Sequence, residues 1–161
     1  LYLVEQLGAI RVRSDIERKR LFGQEGSGAL NAGLYTAELS KKTYSRLASL
    51  AGQVLASGYP VVVDAAHLKH SQRETLRLAV EDQGAPCLIL QCTAALETLA
   101  ERINSRQLEG TDPSDADINI ARHQLEQMEA LTEDEKDCSM AIDTGATDSL
   151  TLLVSQLRAR F

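Results

Sequence analysis

Short apolar, β-branched runs alternate with amphipathic helical stretches along this chain, and the alternation limits the folds open to it. Four runs are typical of strands, over residues 9–13, 60–64, 86–92 and 140–143. Apolar residues at helical spacing follow each of them, and no repeat, linker or hairpin signal interrupts the order. The pattern predicts an α/β domain with a parallel sheet and helices on both sides.

The composition fits one domain and argues against several classes of protein. A chain of 161 residues can bury a core without disulfides or a structural metal. A net charge of -6 argues against a protein held mainly by nucleic-acid phosphates, although it leaves a nucleotide ligand open. No apolar run reaches the roughly 18 residues that a membrane helix needs. Cys87, Cys92 and Cys138 lack CxxC spacing and lie in apolar stretches, which favours reduced core cysteines and a cytoplasmic location.

Carboxylates follow three of the four predicted strands. Ligands of open parallel sheets bind at the carboxyl ends of strands, so these residues are candidates for a site. Asp15 is equally well interpreted as a helix cap, because Ser14-Asp15 precedes a helical stretch. Asp64 ends an all-valine strand, where a carboxylate needs partners and suits a magnesium ion, directly or through water. Asp143 is better explained by the turn at Thr144-Gly145.

Basic residues cluster near the same predicted edge. Arg11 and Arg13 share one face of the first strand, and Arg18 follows on the next helix. Arg102 and Arg106 are one helical turn apart, so both can face one anionic group. From spacing alone a solvated helix face remains the simpler interpretation of that second pair.

Two histidines follow the second strand. His67 and His70 are close enough in sequence to share a metal, but no third ligand accompanies them, so the prediction is weak.

The order of these motifs resembles that of the zeta-toxin-like, AAA-type P-loop kinases. The similar segments cover residues 11–23, 35–44, 61–68, 99–106, 112–116, 124 and 142–144. Together they span essentially the whole chain. The resemblance implies a three-layer α/β/α parallel sheet of the P-loop NTPase, nucleoside-kinase-like type. It also implies transfer of a phosphoryl group from ATP, with Mg²⁺, to a hydroxyl group of a small molecule.

The resemblance also assigns roles to residues. It makes Asp15 the base for the acceptor hydroxyl, and it places Asp64 at Mg²⁺. It assigns substrate binding to Arg13, Arg18 and Tyr35. Nucleotide binding is assigned to Asp64, Arg102 and Thr144. Arg102 and Arg106 would also neutralise charge on the phosphoryl group during transfer. A lid is expected over residues 107–113 of a single domain, 1–161.

One element of the family is missing from the sequence. The phosphate-binding GxxxxGK[ST] loop is absent, and the glycine-rich stretch 23–28 has no following Lys and carries Glu25. In the family the strand before that loop is central in the sheet. Because the chain opens at Leu1 in a helical pattern, we expect it to be a fragment that lacks roughly 20 to 30 residues, the length of a strand, loop and half-helix. An ATPase or switch module and a degenerate, non-catalytic domain are the alternatives to a kinase.

Overall fold

Four short strands form two parallel pairs in the computed structural model, which describes residues 2–22, 37–109, 118–146 and 149–160. The strands are β1 (Ile10–Arg13), β2 (Val61–Asp64), β3 (Ile89–Thr93) and β4 (Ser139–Asp143). The helices are α1 (Tyr2–Leu7), α2 (Ser14–Phe22), α3 (Ala37–Ala56), α4 (His70–Glu81), α5 (Leu96–Glu109), α6 (Ile118–Gln127), α7 (Glu133–Asp137) and α8 (Ser149–Arg160).

The pairing of the strands confirms the predicted α/β fold. β1 runs parallel to β2, with Ile10 opposite Val61 and Arg13 opposite Asp64. β3 runs parallel to β4, with Thr93 opposite Asp143. Parallel strands need crossover connections, and here helices supply them: α2 and α3 between β1 and β2, and α5 to α7 between β3 and β4. Within the described ranges the two pairs share no backbone ladder, so each of the four strands has one unpaired edge.

The unpaired edges explain why one prediction about burial is wrong. The valine run of β2 predicts a strand covered on both faces, yet all four residues of Val61–Asp64 are only half-buried. A strand with one neighbour has part of its backbone and side chains open at the other edge. Cys92, on β3, is exposed for the same reason and is not a core cysteine; its thiol is free, as are those of Cys87 and Cys138.

The sequence predicts helix ends at Gly8 and Gly58, and capping boxes of Ser71 with Glu74 and of Thr132 with Glu135. Most of these signals agree with the structure. Gly8 ends α1 with φ of 59° and Gly58 ends α3 with φ of 81°, left-handed values that suit glycine. The capping box at α7 is confirmed, because Thr132 N–H donates to Glu135 Oε2 at 2.9 Å and Glu135 N–H donates to Thr132 Oγ1 at 3.3 Å.

Two predicted caps differ from the structure. The expected box of Ser71 with Glu74 does not form, because the N-cap of α4 is Lys69, two residues earlier; Lys69 N–H donates to Gln72 Oε1 at 3.0 Å. Ser14 and Asp15 belong to the first turn of α2 rather than preceding it.

Helix α3 supplies the core beside the first strand pair. Thr43, Leu47, Ala48 and Ala51 lie on its buried face, which packs on α4, β1 and β2. Leu47 is 1% exposed, and burying a leucine fully contributes about 1.5–3 kcal/mol. The packing holds β1 and β2 on one face of α3 and joins α3 to α4.

A second core lies beside the other strand pair. Ile142, Leu153 and Leu157 are buried, and partly buried apolar residues pack around them: Leu3, Leu7, Leu88, Leu90 and Met140. Helix α1 thereby packs on α8 although it leads directly into β1. None of the described helices has the length and apolar character needed to cross a bilayer.

Candidate active site

The carboxyl ends of β1 and β2 bring the first group of candidate residues together. Arg13 and Asp64 are the last residues of the two strands and lie opposite each other in the parallel register. Asp15 follows two residues after Arg13, in the first turn of α2. The strands thus end in a base and an acid at one edge, where parallel sheets bind ligands.

Two arginines hold the carboxylate of Asp64. Arg11 Nε donates to Asp64 Oδ2 at 3.0 Å, and Arg11 Nη2 approaches the same oxygen. Arg13 Nε lies 3.6 Å from Oδ2. The expectation that Asp64 needs partners is therefore correct. No role was predicted for Arg11, because its contact with Asp64 depends on β1 and β2 being neighbours.

The three side chains of this cluster carry a net charge of +1. Asp64 is 42% exposed, so solvent reaches the cluster. A group of two guanidiniums and one carboxylate has the charge to hold an anion such as a phosphate.

Asp15 has a different partner. Its Oδ1 accepts from Arg18 Nη1 at 3.1 Å, one helical turn away. Arg18 therefore orients the Asp15 carboxylate at the strand end.

Glu17 is a buried acid that sequence analysis missed. Its residue surface is only 3% exposed. Arg46 Nε of α3 donates to its Oε2 at 3.3 Å, and Arg20 pairs with Oε1. A charged residue on a short, polar helix gave no signal of burial, because the partner helix that covers it comes 29 residues later. The ion pair of Glu17 with Arg46 joins α2, the helix that carries Asp15, to α3.

The second strand pair places Arg102 at the end of β4. Arg102 Nη1 donates to Thr144 Oγ1 at 2.8 Å, and Nη2 donates to the Thr144 carbonyl at 2.7 Å. Thr144 in turn bonds the Thr93 carbonyl of β3 through its N–H and hydroxyl. Arg106 lies one turn further along α5 and is half-buried. Two residues that the resemblance assigns to the nucleotide are thus in contact across 42 positions of sequence.

Asp143 fits its structural interpretation. Its Oδ1 accepts from Gly145 N–H at 2.8 Å and closes the turn after β4.

His67 lies in the connection that follows Asp64 and adopts an unusual backbone conformation. Its φ is 46°, in the left-handed region that non-glycine residues seldom enter. Its N–H donates to Tyr44 Oη at 3.1 Å, and its ring packs on Tyr44 with centroids 5.3 Å apart. Burial, aided by the charge of Arg73, lowers the pKa of His67 to about 4, although Asp64 and a hydrogen bond to Val63 oppose the shift. The imidazole is therefore neutral at physiological pH, and its buried Nδ1 has no hydrogen-bond partner.

His70 has its own partner, so the proposed metal pair with His67 finds no support. His70 Nδ1 lies 3.1 Å from Glu135 Oε1 of α7. In the part of the chain that the structure describes, no three metal-binding side chains come together.

The donors near Asp64 suit Mg²⁺ only in a limited way. Among the described residues, every contact of Asp64 falls on Oδ2, and Oδ1 takes none of them. Protein sites for Mg²⁺ with nucleotides use one or two carboxylates together with phosphate oxygens and water. Asp64 fits such a site as a single carboxylate that acts beside the phosphates.

Tyr35 and part of the expected lid are predicted features that the described ranges do not include. Tyr35 lies outside the described residues. Residues 107–109 of the expected lid continue α5, and residues 110–113 fall outside the described ranges.

Comparison with protein families supports the resemblance drawn from the motifs. A sequence model of the AAA domain family AAA_33 matches residues 2–131. This chain belongs to that P-loop kinase-like family. Its sequence matches none of the curated proteins with which it was compared.

Solved structures share the fold of this AAA-family chain at low sequence identity. A gluconokinase from Sinorhizobium meliloti 1021 superposes with a TM-score of 0.62 at 20% identity, covering 99% of this chain and 86% of the gluconokinase. A sugar kinase from Janibacter sp. HTCC2649 gives 0.66 at 16% identity, covering 98% and 82%. A tunicamycin resistance protein from Deinococcus radiodurans gives 0.57 at 12% identity, covering 99% and 89%. The predicted P-loop kinase fold class is confirmed by these matches.

Proposed function

We propose that this chain forms the body of an ATP-dependent kinase that phosphorylates a hydroxyl group of a small molecule. The observation that carries the proposal is the pairing at the ends of β1 and β2. There Arg11 and Arg13 hold Asp64, and Asp15 opens the next helix. A carboxylate that takes the proton of the acceptor hydroxyl, and cations that bind phosphate oxygens, are the groups that phosphoryl transfer needs at a strand edge.

The structural neighbours support the class of acceptor. Two of them are a gluconokinase and a sugar kinase, so a polyhydroxylated metabolite is the first class to test. The third is a tunicamycin resistance protein, which keeps an antibiotic among the candidates. All three superpose on 98–99% of this chain, at 12–20% sequence identity. Assays with candidate acceptors therefore have to identify the acceptor.

Asp15 acts in this proposal as the general base. Its carboxylate takes the proton of the acceptor hydroxyl as the hydroxyl oxygen bonds to the γ-phosphorus of ATP. The bond from the γ-phosphorus to the bridging oxygen breaks, and ADP leaves with that electron pair. Arg18 keeps the Asp15 carboxylate in place at 3.1 Å. Arg13, Arg18 and Tyr35 contribute to binding the acceptor.

Arginines and Thr144 serve the phosphate side. Arg102, held at Thr144 by two hydrogen bonds, and Arg106 offset the charge on the moving phosphoryl group. Asp64 helps to hold Mg²⁺, which reduces the charge on the phosphate oxygens when it is bound with ATP. Catalysis of this kind depends mainly on positioning and electrostatics.

The proposal requires a phosphate-binding loop, and no GxxxxGK[ST] motif occurs in residues 1–161. The unpaired strand edges of the two pairs would accept a parallel strand that leads into such a loop. The kinase assay therefore needs the protein as its gene encodes it.

The experiment that tests the proposal measures ADP formation with Mg²⁺ and ATP across a panel of acceptors. The panel contains gluconate, neutral sugars, nucleosides, a nucleotide sugar and tunicamycin. Acceptor-dependent ADP release supports the kinase. Equal release without any acceptor identifies the ATPase or switch alternative instead, and the absence of ATP binding by calorimetry identifies a non-catalytic domain.

A further inference from the structure

The candidate site is divided between two parts of the fold. Asp64 belongs to the β1–β2 pair and Asp15 to α2; α2 and α3 pack on this strand pair, and α4 packs on α3. Arg102 and Thr144 belong to the β3–β4 pair with α5. Within the described ranges the two pairs share no ladder. If one nucleotide and one acceptor span both parts, as the proposed function requires, other contacts must set their relative placement.

Arg73 makes such a contact on the side of Asp64. It lies on α4, in the first part, and its side chain is 5% exposed. Its Nε donates to Glu135 Oε1 at 2.7 Å and its Nη2 donates to Glu135 Oε2 at 3.0 Å. Glu135 lies on α7, and its side chain is 6% exposed. The pair is a buried, two-pronged ion pair, the geometry that arginine and carboxylate form best.

The remaining bonds of Arg73 hold backbone from both parts. Its Nη1 donates to the His67 carbonyl at 3.0 Å, three residues beyond Asp64. The same nitrogen lies 3.3 Å from the Glu129 carbonyl, and Nη2 donates to the Ala130 carbonyl at 3.2 Å. A single guanidinium therefore joins the connection after β2 to the segment between α6 and α7.

Glu135 transmits this contact to the other end of the site. It lies four residues before Ser139, where β4 begins, and α7 packs on β4. Thr144, the partner of Arg102, directly follows that strand. Other contacts also join the two parts: α1 packs on α8, Glu129 N–H donates to the Leu68 carbonyl at 2.8 Å, and His70 N–H donates to Glu129 Oε2 at 2.7 Å. Arg73 is a buried side chain among the contacts that hold the connection after β2.

The energetics favour a role in placement over a role in bulk stability. Burying two charges carries a desolvation cost that can exceed their attraction, and apolar pairs of similar volume are often at least as stabilising. An ion pair with fixed two-pronged geometry instead sets the distance and angle between its partners.

We propose that Arg73 is a positioning residue that, through Glu135, sets the placement of the Asp64 end of the site relative to the Arg102–Thr144 end. The inference rests on the proposed function for its effect on catalysis. Its structural part stands independently, because the distance between the two parts can be measured without any activity.

The catalytic experiment is a double-mutant cycle of Arg73→Lys with Arg102→Lys, read as kcat per folded molecule. Arg73→Lys keeps the charge but loses the two-pronged contact, and we expect kcat to fall about 10- to 100-fold, the usual effect of displacing a supporting group. In the Arg102→Lys background we expect Arg73→Lys to cost less than about 3-fold, because the alignment is already lost. Equal losses in both backgrounds would overturn the inference.

Two controls separate placement from stability. Arg77→Lys alters an arginine of the same helix whose partners, Glu74 and Glu81, are surface residues, and it should leave kcat unchanged. Leu47→Ala weakens the core of the first part without touching a contact between the two parts, and it should lower activity only in proportion to its folded fraction. If Arg73→Lys behaves as Leu47→Ala does, Arg73 is merely structural.

The structural experiment measures the distance between spin labels on Gln53→Cys of α3 and Leu152→Cys of α8, with the native cysteines replaced. Both positions are exposed. We expect Arg73→Lys to broaden the distance distribution, and Arg77→Lys to leave it unchanged. An unchanged distribution in Arg73→Lys would overturn the inference. Broadening in a protein that phosphorylates no acceptor would refute the proposed function and leave the structural link established.

Discussion

Arg13 and Asp64 lie opposite each other at the ends of β1 and β2, with Arg13 Nε 3.6 Å from Asp64 Oδ2. The contact joins the two strand ends that carry the acidic residues of the candidate site. Arg11 completes it from the same face of β1. The Asp64 carboxylate thus lies between two guanidinium groups. A second carboxylate, Asp15, follows two residues after Arg13.

Asp15→Asn is expected to abolish most phosphoryl transfer while nucleotide binding is retained. An amide cannot take the hydroxyl proton, and losing a general base costs about 10²- to 10⁴-fold in rate. Steady-state kinetics and calorimetry on the same protein measure the two properties. Asp143→Asn is the matched control, because the amide oxygen can still accept from Gly145 N–H. Normal transfer by Asp15→Asn would show that the base is another residue.

Asp64→Asn is expected to raise the Mg²⁺ concentration needed for half-maximal activity by about 10-fold or more. The substitution removes the negative charge that sits between Arg11 and Arg13 and so makes the cluster more positive. A titration of Mg²⁺ at constant ATP measures the shift. Asp82→Asn, an exposed substitution at the end of α4, should give the wild-type curve. An unshifted curve for Asp64→Asn would remove Asp64 from the metal site.

His67 should make the free energy of unfolding depend on pH in the acid range. Its folded-state pKa of about 4 lies below the ordinary 6.5, so the unfolded chain binds the proton more readily between those values. Stability is therefore complete above pH 6.5 and falls by about 3 kcal/mol as the pH drops to 4. Glu135, whose pKa its hydrogen bond to Arg73 lowers to about 2, adds a further loss below pH 4.5.

Urea unfolding of His67→Asn at several pH values tests this assignment. Asparagine tolerates the positive φ but does not titrate, so the loss between pH 6.5 and 4.5 should largely disappear. His123→Asn changes an exposed histidine of α6 and should keep the wild-type slope. A full loss retained by His67→Asn would place the titrating group elsewhere.

Arg102→Lys is expected to lower kcat by about 10- to 100-fold with a smaller change in the KM for the acceptor. Lysine keeps the charge but cannot reach both the hydroxyl and the carbonyl of Thr144 as the guanidinium does. Initial rates at saturating ATP measure the effect. Arg122→Lys on the exposed face of α6 serves as the control. Equal kcat values for the two variants would show that Arg102 has no role in phosphoryl transfer.

Local signals in the sequence predicted the elements of the fold well. The β-branched runs, the glycines after α1 and α3, and the capping box of Thr132 with Glu135 all depend on neighbours a few residues apart. The break of the sheet into two pairs was not predicted, because it depends on which strands become neighbours. The predicted cap at Ser71 is wrong because Gln72 accepts the same kind of bond from Lys69 N–H, which caps the helix two residues earlier.

The contacts of the site were harder to foresee than its residues. Alternation placed Arg11 and Arg13 on one face, but only the register of β1 with β2 brings them to Asp64. Arg73 and Glu135 are 62 positions apart, and nothing local links them. One sign was available: Arg73 shares the spacing of Val80, a core residue of α4, so it occupies a position where an apolar side chain is expected.

The most direct test of the proposed kinase is ³¹P NMR of a reaction that contains the protein as its gene encodes it, Mg²⁺, ATP and the acceptor that stimulates ADP release. The account predicts a new phosphate-ester resonance that grows in step with ADP and is absent with Asp15→Asn. A reaction in which inorganic phosphate is the sole new product would contradict it.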